Sequence, residues 1–225
     1  KKIVEIGMDN GGFLEVLHKF FPDADILGID INSNCKKIKF NTNKIRTLVL
    51  PIEKSNNLQN VIDDKVDIII DDSSHDPVNQ FENYYNLFDK LNTNGVYIIE
   101  DIECSYFNNK KKYPHLKNNI LKLIDDLNGW YQNDINANCN TNKYTKNYYK
   151  IEFYSGLIVI HKKPFLNNRP ICICSGLETK ARFPKYIKKY IKDNTSININ
   201  TSDKELLKKY NEHSIKLFKN FIKNI

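Results

Sequence analysis

Long hydrophobic runs are absent from this sequence of 225 residues. No stretch of about eighteen consecutive apolar residues occurs, which excludes a membrane-spanning helix of ordinary length. The N-terminus lacks the charged-then-apolar pattern of a secretory signal peptide, and the chain begins with Lys1-Lys2 rather than with methionine. We therefore expect a cytoplasmic protein without a membrane partner, and an excised fragment of a longer chain.

Cysteine and the common glycine motifs are also scarce. The five cysteines are odd in number and scattered, which argues for a reducing compartment rather than a disulfide framework. Cys172 and Cys174 alternate on a strand-like run, and this is not a zinc-ligand spacing. Neither the dinucleotide-binding pattern G-x-G-x-x-G nor a Walker lysine occurs. Binding of a nucleotide-like cofactor must therefore be argued from other residues.

Positive charge is concentrated in the C-terminal part of the chain. The net charge is +7, but residues 1–160 carry 19 basic and 22 acidic side chains, whereas residues 161–225 carry 15 and 5. We predict a folded domain over 1–164 and a basic, mainly helical extension over 165–225. The charge suits the solvated face of helices, with nucleic-acid binding as the less favoured interpretation. An apolar stripe in the last helix predicts packing on the domain or on a second subunit, which would make a homo-oligomer.

Two unbroken apolar runs organise the middle of the chain. Val66–Ile70 and Val96–Ile99 are rich in β-branched residues without alternation, which is typical of strands buried on both faces of a parallel sheet. The segment Gln80–Leu91 between them has helical apolar spacing, and we predict that Asn94-Gly95 ends this helix. The three segments predict a right-handed βαβ unit, whose parallel strands end at the same edge of the sheet.

Each apolar run ends in a pair of acids. Asp71-Asp72 follows the first run, Glu100-Asp101 follows the second, and His75 comes shortly after the first pair. Ligands bind at this edge of open α/β sheets, and clustered carboxylates repel each other unless a cation neutralises them. We predict that Asp72, Glu100 and Asp101 ligate Mg²⁺, which prefers oxygen ligands, and that the histidine is a general base. The alternative is that these side chains cap helices and form salt bridges in loops.

The first part of the chain predicts a site for a nucleoside-containing cofactor. The strand Ile3–Ile6 leads into a turn with Gly7 and Gly11, where glycine lets the backbone approach a ligand closely. The second strand ends at Asp30, the position from which an acid accepts hydrogen bonds from ribose hydroxyls. A turn glycine and a helix-capping acid remain the alternative interpretation.

Three further acids are assigned to the cofactor side. Glu5 precedes the glycine turn on the first strand, and Asp71 ends the central strand. Glu53 follows the third predicted strand, Arg46–Leu50, where it is placed to accept a hydrogen bond from an adenine amino group.

The order of these elements is similar to that of class I S-adenosylmethionine methyltransferases. The segments VEIGMDNGG, IIIDDSSHDP, IIEDIECSY and IEFYSGLIVIHKKP further resemble the Mg-dependent O-methyltransferases that act on macrolide sugars, and the related cephalosporin hydroxylase group. The resemblance covers about residues 3–164. It implies a Rossmann-like α/β fold whose mostly parallel sheet ends in an antiparallel hairpin, which we place at Tyr148–Tyr154 and Leu157–His161.

The resemblance also implies a function. S-adenosylmethionine and Mg²⁺ would be the cofactors, and the acceptor would be a sugar hydroxyl of a small molecule or glycan. By position, Asp72, Glu100 and Asp101 correspond to the metal ligands and His75 to the base. Two residues depart from the family pattern: Ser73 stands where glycine is usual, and Cys104 where threonine is usual.

Other functions remain open from the sequence alone. A catechol-type O-methyltransferase requires the same metal and neighbouring hydroxyls. An RNA methyltransferase could use the basic extension, although the extension lacks RNA-stacking aromatic motifs. The polar stretch Trp130–Lys146 predicts a lid or acceptor-binding flap, with disorder as the alternative.

Overall fold

A computed structural model of the chain describes residues 1–50, 55–63, 65–107, 112–129 and 141–164, together with isolated residues between 192 and 216. The chain divides into two compact units. The first comprises Lys1–Asn128 and Thr141–Phe165, and it contains the sheet and the candidate site. The second comprises Gly129–Asn140 and Leu166–Ile225, most of which lies outside the described residues. The predicted division at residue 164 therefore stays a prediction.

Seven strands of the described residues form one sheet. Their bounds are β1 Lys2–Ile6, β2 Asp25–Asp30, β3 Ile45–Val49, β4 Val66–Asp71, β5 Leu91–Ile99, β6 Tyr148–Tyr154 and β7 Leu157–Lys162. The spatial order is β3-β2-β1-β4-β5-β7-β6, in which the first five strands are parallel and β7 runs antiparallel to both of its neighbours. The predicted Rossmann-like sheet with a C-terminal antiparallel hairpin is confirmed.

Helices connect the parallel strands. They are α1 Gly12–Phe20, α2 Ser55–Val61, α3 Pro77–Leu87 and α4 Lys112–Leu127, with short 3₁₀ turns at Ser33–Lys37, Phe88–Lys90 and Ile102–Ser105. Helix α3 begins earlier than the predicted Gln80, because the Asp76 side chain accepts the Val78 amide at 3.0 Å and Pro77 occupies the first turn. Within the described part of the chain, no helix is long and apolar enough to cross a membrane.

The predicted helix end at Asn94-Gly95 is wrong. Helix α3 ends at Leu87, and both residues lie inside strand β5. Strand β5 shifts register against β4 here, pairing Leu91 with Val66 and then Val96 with Ile68. Asn94 adopts a left-handed backbone with φ of 66°, which asparagine tolerates better than most residues. The same dipeptide that suits a helix end therefore makes an irregularity in a strand.

The core lies on both faces of the sheet. Val4 and Ile6 pack in one apolar cluster with α3 and α4, whereas Ile3 packs in a second cluster with α1. Successive side chains of a strand point to opposite faces, so a run buried on both sides must be apolar throughout. From β1 the chain continues to β2 and β3 on one side of β1. It then crosses back to β4, which lies on the other side of β1. This reversal of strand order creates a crevice at the carboxyl edge.

Candidate active site

A cavity of about 440 Å³ opens at the carboxyl edge of the sheet. This volume lies within the range of small-molecule sites. Its lining comes from the ends of β1, β2, β4 and β5 and from the start of α3, and consists of Gly7, Asp9, Asp30, Ile31, Asp72, Ser73, Ser74, His75, Asn79, Asn83 and Asp101. One cavity therefore contains the predicted ribose acid together with the predicted base and two of the predicted metal ligands.

Asp30 forms one end of the cavity, which we call the Asp30 end. It is the last residue of β2 and only 8% exposed. Its carboxylate accepts the backbone amides of Asp9 and Asn32, one on each oxygen and both at 2.8 Å. A carboxylate has about four acceptor positions, so these two bonds leave capacity for further donors. The backbone thus fixes the orientation of an acceptor that can still bind hydroxyl groups.

Gly7 allows the loop after β1 to lie against the loop after β4. Its φ is +91°, and an added Cβ would lie 2.2 Å from the carbonyl oxygen of Asp72. Any larger residue would therefore displace the backbone that carries a predicted metal ligand. Gly11 has a φ of +75° and an added Cβ there would lie 2.7 Å from the Phe40 ring. Gly11 is the N-cap residue that immediately precedes α1, but it is not among the residues that line the cavity.

Asp72, His75 and Asp101 form the other end, the His75 end. His75 Nδ1 lies 3.2 Å from Asp101 Oδ2 and 3.8 Å from Asp72 Oδ1. Asp72 Oδ1 and His75 Nδ1 are both buried atoms without a hydrogen-bond partner of good geometry. Buried polar atoms without partners are costly, so this end has capacity for a ligand that would contact them.

Negative charge at the His75 end perturbs the carboxyl groups. Burial and the nearby Asp101 carboxylate raise the pKa of Asp72. Burial, then Asp72 and Asp101, raise the pKa of Glu100. Glu100 does not line the cavity, and its backbone carbonyl accepts the Gln80 side chain at 2.8 Å. The three predicted ligands therefore interact electrostatically, as expected for acids gathered at one edge.

A different trio comes closest together. Among the described residues, His75, Asp101 and Cys104 are the one group of three whose metal-binding atoms all lie within 4.8 Å of one another. Asp72, Glu100 and Asp101 do not form such a group in this part of the chain. Gripping one cation with the predicted three carboxylates would therefore require side-chain rotation.

The backbone of the cavity is strained at three points. Asp9, His75 and Asp101 have φ of 43°, 48° and 53°, the left-handed region that non-glycine residues rarely occupy. All three line the cavity. Strain of this kind persists where the surrounding structure over-determines it, and it is concentrated at functional sites.

Asp71 lies beneath the cavity rather than on it. It is fully buried and accepts Ser73 Oγ at 2.6 Å, Tyr97 OH at 3.0 Å and Asn83 Nδ2 at 3.1 Å. Burial raises the pKa of Asp71 to about 6, although these donors oppose the shift. The side chain therefore anchors the loop after β4 to α3 and β5. Its predicted contact with the cofactor stays a prediction.

Glu5 is the remaining buried acid. It is 2% exposed, and its Oε2 atom has no hydrogen-bond partner. Burial, and then the charges of Asp72 and Glu100, raise its pKa to about 8. Glu5 therefore lies close enough to the His75 end to interact with its charges. Glu53, the predicted adenine contact, lies outside the described residues.

The sequence reasoning gave no site role to five polar residues that line the cavity, which are Asp9, Ser73, Ser74, Asn79 and Asn83. Asp9 lies in the loop after β1 and presents its amide to Asp30. Asn79 and Asn83 are four residues apart on α3, and Asn83 is 2% exposed. Two polar residues at this helical spacing share one face, and the apolar neighbours Phe81 and Tyr84 are buried. That spacing was the available signal for a polar cavity wall.

No family model matches the chain. Among solved structures, it is similar to the MycE methyltransferase from the mycinamycin biosynthetic pathway in complex with Mg and SAH, with a TM-score of 0.63 and 22% identity over 79% of this chain and 49% of that one. The chain has the class I methyltransferase fold. A second structure of MycE, with Mg, SAH and mycinamycin VI, is similar to this chain with a TM-score of 0.64 and 21% identity over 79% of this chain and 48% of that one.

Two curated proteins of Streptomyces olivaceus also resemble this class I methyltransferase domain. One is the 8-demethyl-8-alpha-L-rhamnosyl tetracenomycin-C 2'-O-methyltransferase, 29% identical over 114 residues that make up 47% of this chain and 29% of that protein. The other is the corresponding 2-methoxy-rhamnosyl 3'-O-methyltransferase, 28% identical over 47% of this chain and 28% of its own length. The resemblance to sugar O-methyltransferases is confirmed by these two relatives, of whose length the chain spans less than a third. The chain also spans about half the length of MycE, which shares the fold.

Proposed function

We propose that this chain is an S-adenosylmethionine- and Mg²⁺-dependent O-methyltransferase that acts on a sugar hydroxyl of a glycan, nucleotide sugar or glycosylated metabolite. The observation that carries the proposal is the single cavity with Asp30 at one end and His75 between two acids at the other. Such a cavity holds a nucleoside and an ionisable acceptor side by side. A methyl transfer requires that proximity, because rate depends on bringing oxygen and methyl carbon close and in line.

The Asp30 end suits the ribose of the methyl donor. Asp30 ends the second strand of a class I methyltransferase fold, and its two backbone hydrogen bonds leave acceptor capacity pointing into the cavity. The MycE structures contain SAH, which supports the same ligand class here. We assign ribose recognition to Asp30, and close backbone approach to Gly7.

The His75 end suits a divalent cation. Asp72, Glu100 and Asp101 would hold it, because hard cations prefer carboxylate oxygens. The unpartnered buried Oδ1 of Asp72 and the mutual repulsion of these acids both fit a cation. When bound, Mg²⁺ would neutralise this charge and lower the pKa of a neighbouring hydroxyl. Two adjacent sugar hydroxyls are the acceptor geometry that we propose.

His75 is the proposed base. Its Nδ1 atom lies 3.2 Å from Asp101 Oδ2, an electrostatic contact that keeps this side of the ring next to the acids. The other ring nitrogen, Nε2, is then the atom that accepts the proton of the acceptor hydroxyl as the oxygen attacks the methyl carbon. The oxygen–carbon bond forms while the carbon–sulfur bond breaks. Imidazole is the side chain that most often accepts a proton in catalysis near neutral pH, so it suits this task.

The choice of a sugar acceptor rests on the relatives. Both curated relatives are named for rhamnosyl tetracenomycins, and one MycE structure contains mycinamycin VI. A catechol acceptor would need the same cavity chemistry and is an outcome that the experiment must separate. Cytoplasmic location, a homo-oligomer and a lid at Trp130–Lys146 stay predictions, and most of that segment lies outside the described residues.

The test is a pair of measurements on the full chain. Calorimetric titration with S-adenosylhomocysteine, with and without Mg²⁺, should show binding in both conditions. Methyl transfer to a panel of rhamnosides and catechols should proceed with Mg²⁺ and stop in EDTA. Full activity in EDTA would remove the metal from the proposal, and the absence of cofactor binding would remove the methyltransferase itself. Transfer to catechols alone would replace the sugar acceptor.

A further inference from the structure

Cys104 lies beside the His75 end because of one tight turn. The 3₁₀ turn Ile102–Ser105 begins directly after Asp101, whose backbone is left-handed. The amide of Cys104 donates to the carbonyl of Asp101 at 3.1 Å, which folds the chain back on itself. The thiol is thereby brought within 4.8 Å of both the Asp101 carboxylate and the His75 ring. These side chains come from two separate loops at the same sheet edge.

We propose that His75, Asp101 and Cys104 form a binding site for a thiophilic divalent cation, with Zn²⁺ as the ion that the ligand set fits. Zinc takes nitrogen, oxygen and sulfur ligands at about 2.0 to 2.3 Å in a tetrahedron, which separates neighbouring ligand atoms by about 3.3 to 3.8 Å. The 3.2 Å between His75 Nδ1 and Asp101 Oδ2 is close to that spacing. All three pairs fall within 4.8 Å, so small side-chain rotations complete the geometry.

The fourth position has its own candidate. Asp72 Oδ1 is buried, has no hydrogen-bond partner and lies 3.8 Å from His75 Nδ1. On zinc uptake the S–H bond of Cys104 breaks, an S–Zn bond forms, and the proton leaves to solvent.

This site is distinct in chemistry from the proposed Mg²⁺ site. Magnesium binds oxygen ligands, whereas thiolate and imidazole favour zinc and its neighbours in the transition series. The two sets of ligands share Asp101 and, through the fourth position, Asp72, so the two cations must compete. If the proposed function is correct, zinc bound at Nδ1 would also make Nε2 of the same imidazole a weaker base and would inhibit methyl transfer. The binding proposal itself does not depend on that function.

The test uses the full chain with Cys139, Cys172 and Cys174 replaced by serine. This background removes thiols that lie outside the described residues and keeps Cys104 together with the buried Cys35. Titration with Co²⁺, a spectroscopic substitute for Zn²⁺, should produce a sulfur-to-cobalt charge-transfer band. Adding C104S should abolish the band and weaken Zn²⁺ binding by at least about tenfold in calorimetry. Excess Mg²⁺ should weaken Zn²⁺ binding to the background protein.

Two further variants keep the proposal falsifiable. C104T places a larger side chain without sulfur at the same position, and H75Q removes the imidazole; each should lose zinc affinity while circular dichroism shows a folded chain. A charge-transfer band that persists in C104S, or equal Zn²⁺ affinity in C104S and its parent, would overturn the site. Titration with S-adenosylhomocysteine is run in parallel. Failure of that titration bears on the methyltransferase proposal, whereas failure of the cobalt titration bears only on this one.

Discussion

At the Asp30 end of the cavity both carboxylate oxygens accept backbone amides, whereas at the His75 end two buried polar atoms have no hydrogen-bond partner. Both ends lie at the same sheet edge, and both present acids to the same cavity. The first end is organised before any ligand arrives. The second end brings acids close together, and burial, followed by the nearby Asp101 carboxylate, raises the pKa of Asp72.

The difference indicates two modes of recognition. A neutral ligand with hydroxyl groups, such as ribose, needs acceptors that are already oriented. Each hydrogen bond from the ligand to the protein must be more favourable than the hydrogen bond to water that it replaces. A cation instead needs charge that the fold has not already neutralised. Repulsion between the carboxylates at the His75 end therefore favours the binding of a metal cation there. Each prediction below tests one end against the other.

The largest effect is expected at the His75 end. Replacing His75 with alanine should lower the rate of methyl transfer by about 10²- to 10⁴-fold, the usual contribution of a general base. Affinity for S-adenosylhomocysteine should stay unchanged, because the Asp30 end is untouched. Steady-state kinetics and calorimetry measure the two quantities.

His161→Ala is the matched control. His161 lies on β7 with its ring 2.6 Å from Glu152, away from the cavity lining. Its loss should leave the rate within about threefold of the wild type, well short of a base's contribution. A His75→Ala enzyme with a wild-type rate would remove the base assignment.

The second effect concerns charge at the His75 end. Mg²⁺ at about 100 times its Kd should stabilise the wild type by about 2.7 kcal/mol, because it binds the folded state alone. Asp72→Asn should abolish most of this gain. Without metal, the variant should be at least as stable as the wild type, because it removes a carboxylate whose pKa burial and Asp101 raise. Urea unfolding with EDTA or with Mg²⁺ measures both. Equal stabilisation of both proteins by Mg²⁺ would contradict the ligand assignment.

The third effect belongs to the Asp30 end. Asp30→Asn removes a charged acceptor, and hydrogen bonds to charged groups contribute about 1.5 to 3 kcal/mol. Affinity for S-adenosylhomocysteine should therefore fall by about 10- to 100-fold, with Mg²⁺ stabilisation retained. Asp25→Asn, at the exposed start of the same strand and paired with Lys44, is the control and should bind normally. If both variants lose affinity equally, the Asp30 end does not bind the ribose.

The last prediction concerns pH dependence rather than ligand binding. Glu5 has an ordinary pKa of 4.5 and a folded-state pKa of about 8, so the folded protein binds more protons between these values. The neutral acid favours the folded state below pH 4.5, and this contribution is lost as pH rises through 8. In EDTA, the free energy of unfolding of the wild type should fall more steeply with pH across that window than that of Glu5→Gln. The difference in slope should be at most about 1.4 kcal/mol per pH unit. Parallel pH profiles for the two proteins would show that Glu5 titrates normally.

Much of the fold followed from local patterns. Unbroken β-branched runs predicted β4 and β5, and Gly156 at φ of +81° makes the turn of the predicted β6–β7 hairpin. The errors arose where one dipeptide suits two structures. Asn-Gly ends helices and also tolerates the left-handed backbone of an irregular strand, so only pairing with β4 decided between the two.

The candidate site followed only in part. Gathering of the acids at one edge was predictable, because parallel strands end together. Which member of each pair enters the cavity was not. Asp71 points into the protein and Asp72 into the cavity, because successive side chains leave a strand on opposite sides. Which side is buried depends on helices that come from distant parts of the sequence. The approach of Cys104 to His75 also depends on two loops far apart in the sequence.

By itself, the sequence determined the class of the protein: apolar runs and turn residues specify alternating strands and helices, and acids placed after strands specify a charged edge. The tertiary structure decided how that edge is divided. It buried Asp71 in hydrogen bonds, oriented Asp30 with two amides, and left Asp72 Oδ1 and His75 Nδ1 without hydrogen-bond partners. The reason is that hydrophobic periodicity is local and survives in the sequence, whereas hydrogen-bond satisfaction depends on which distant groups the packed chain brings within about 3 Å.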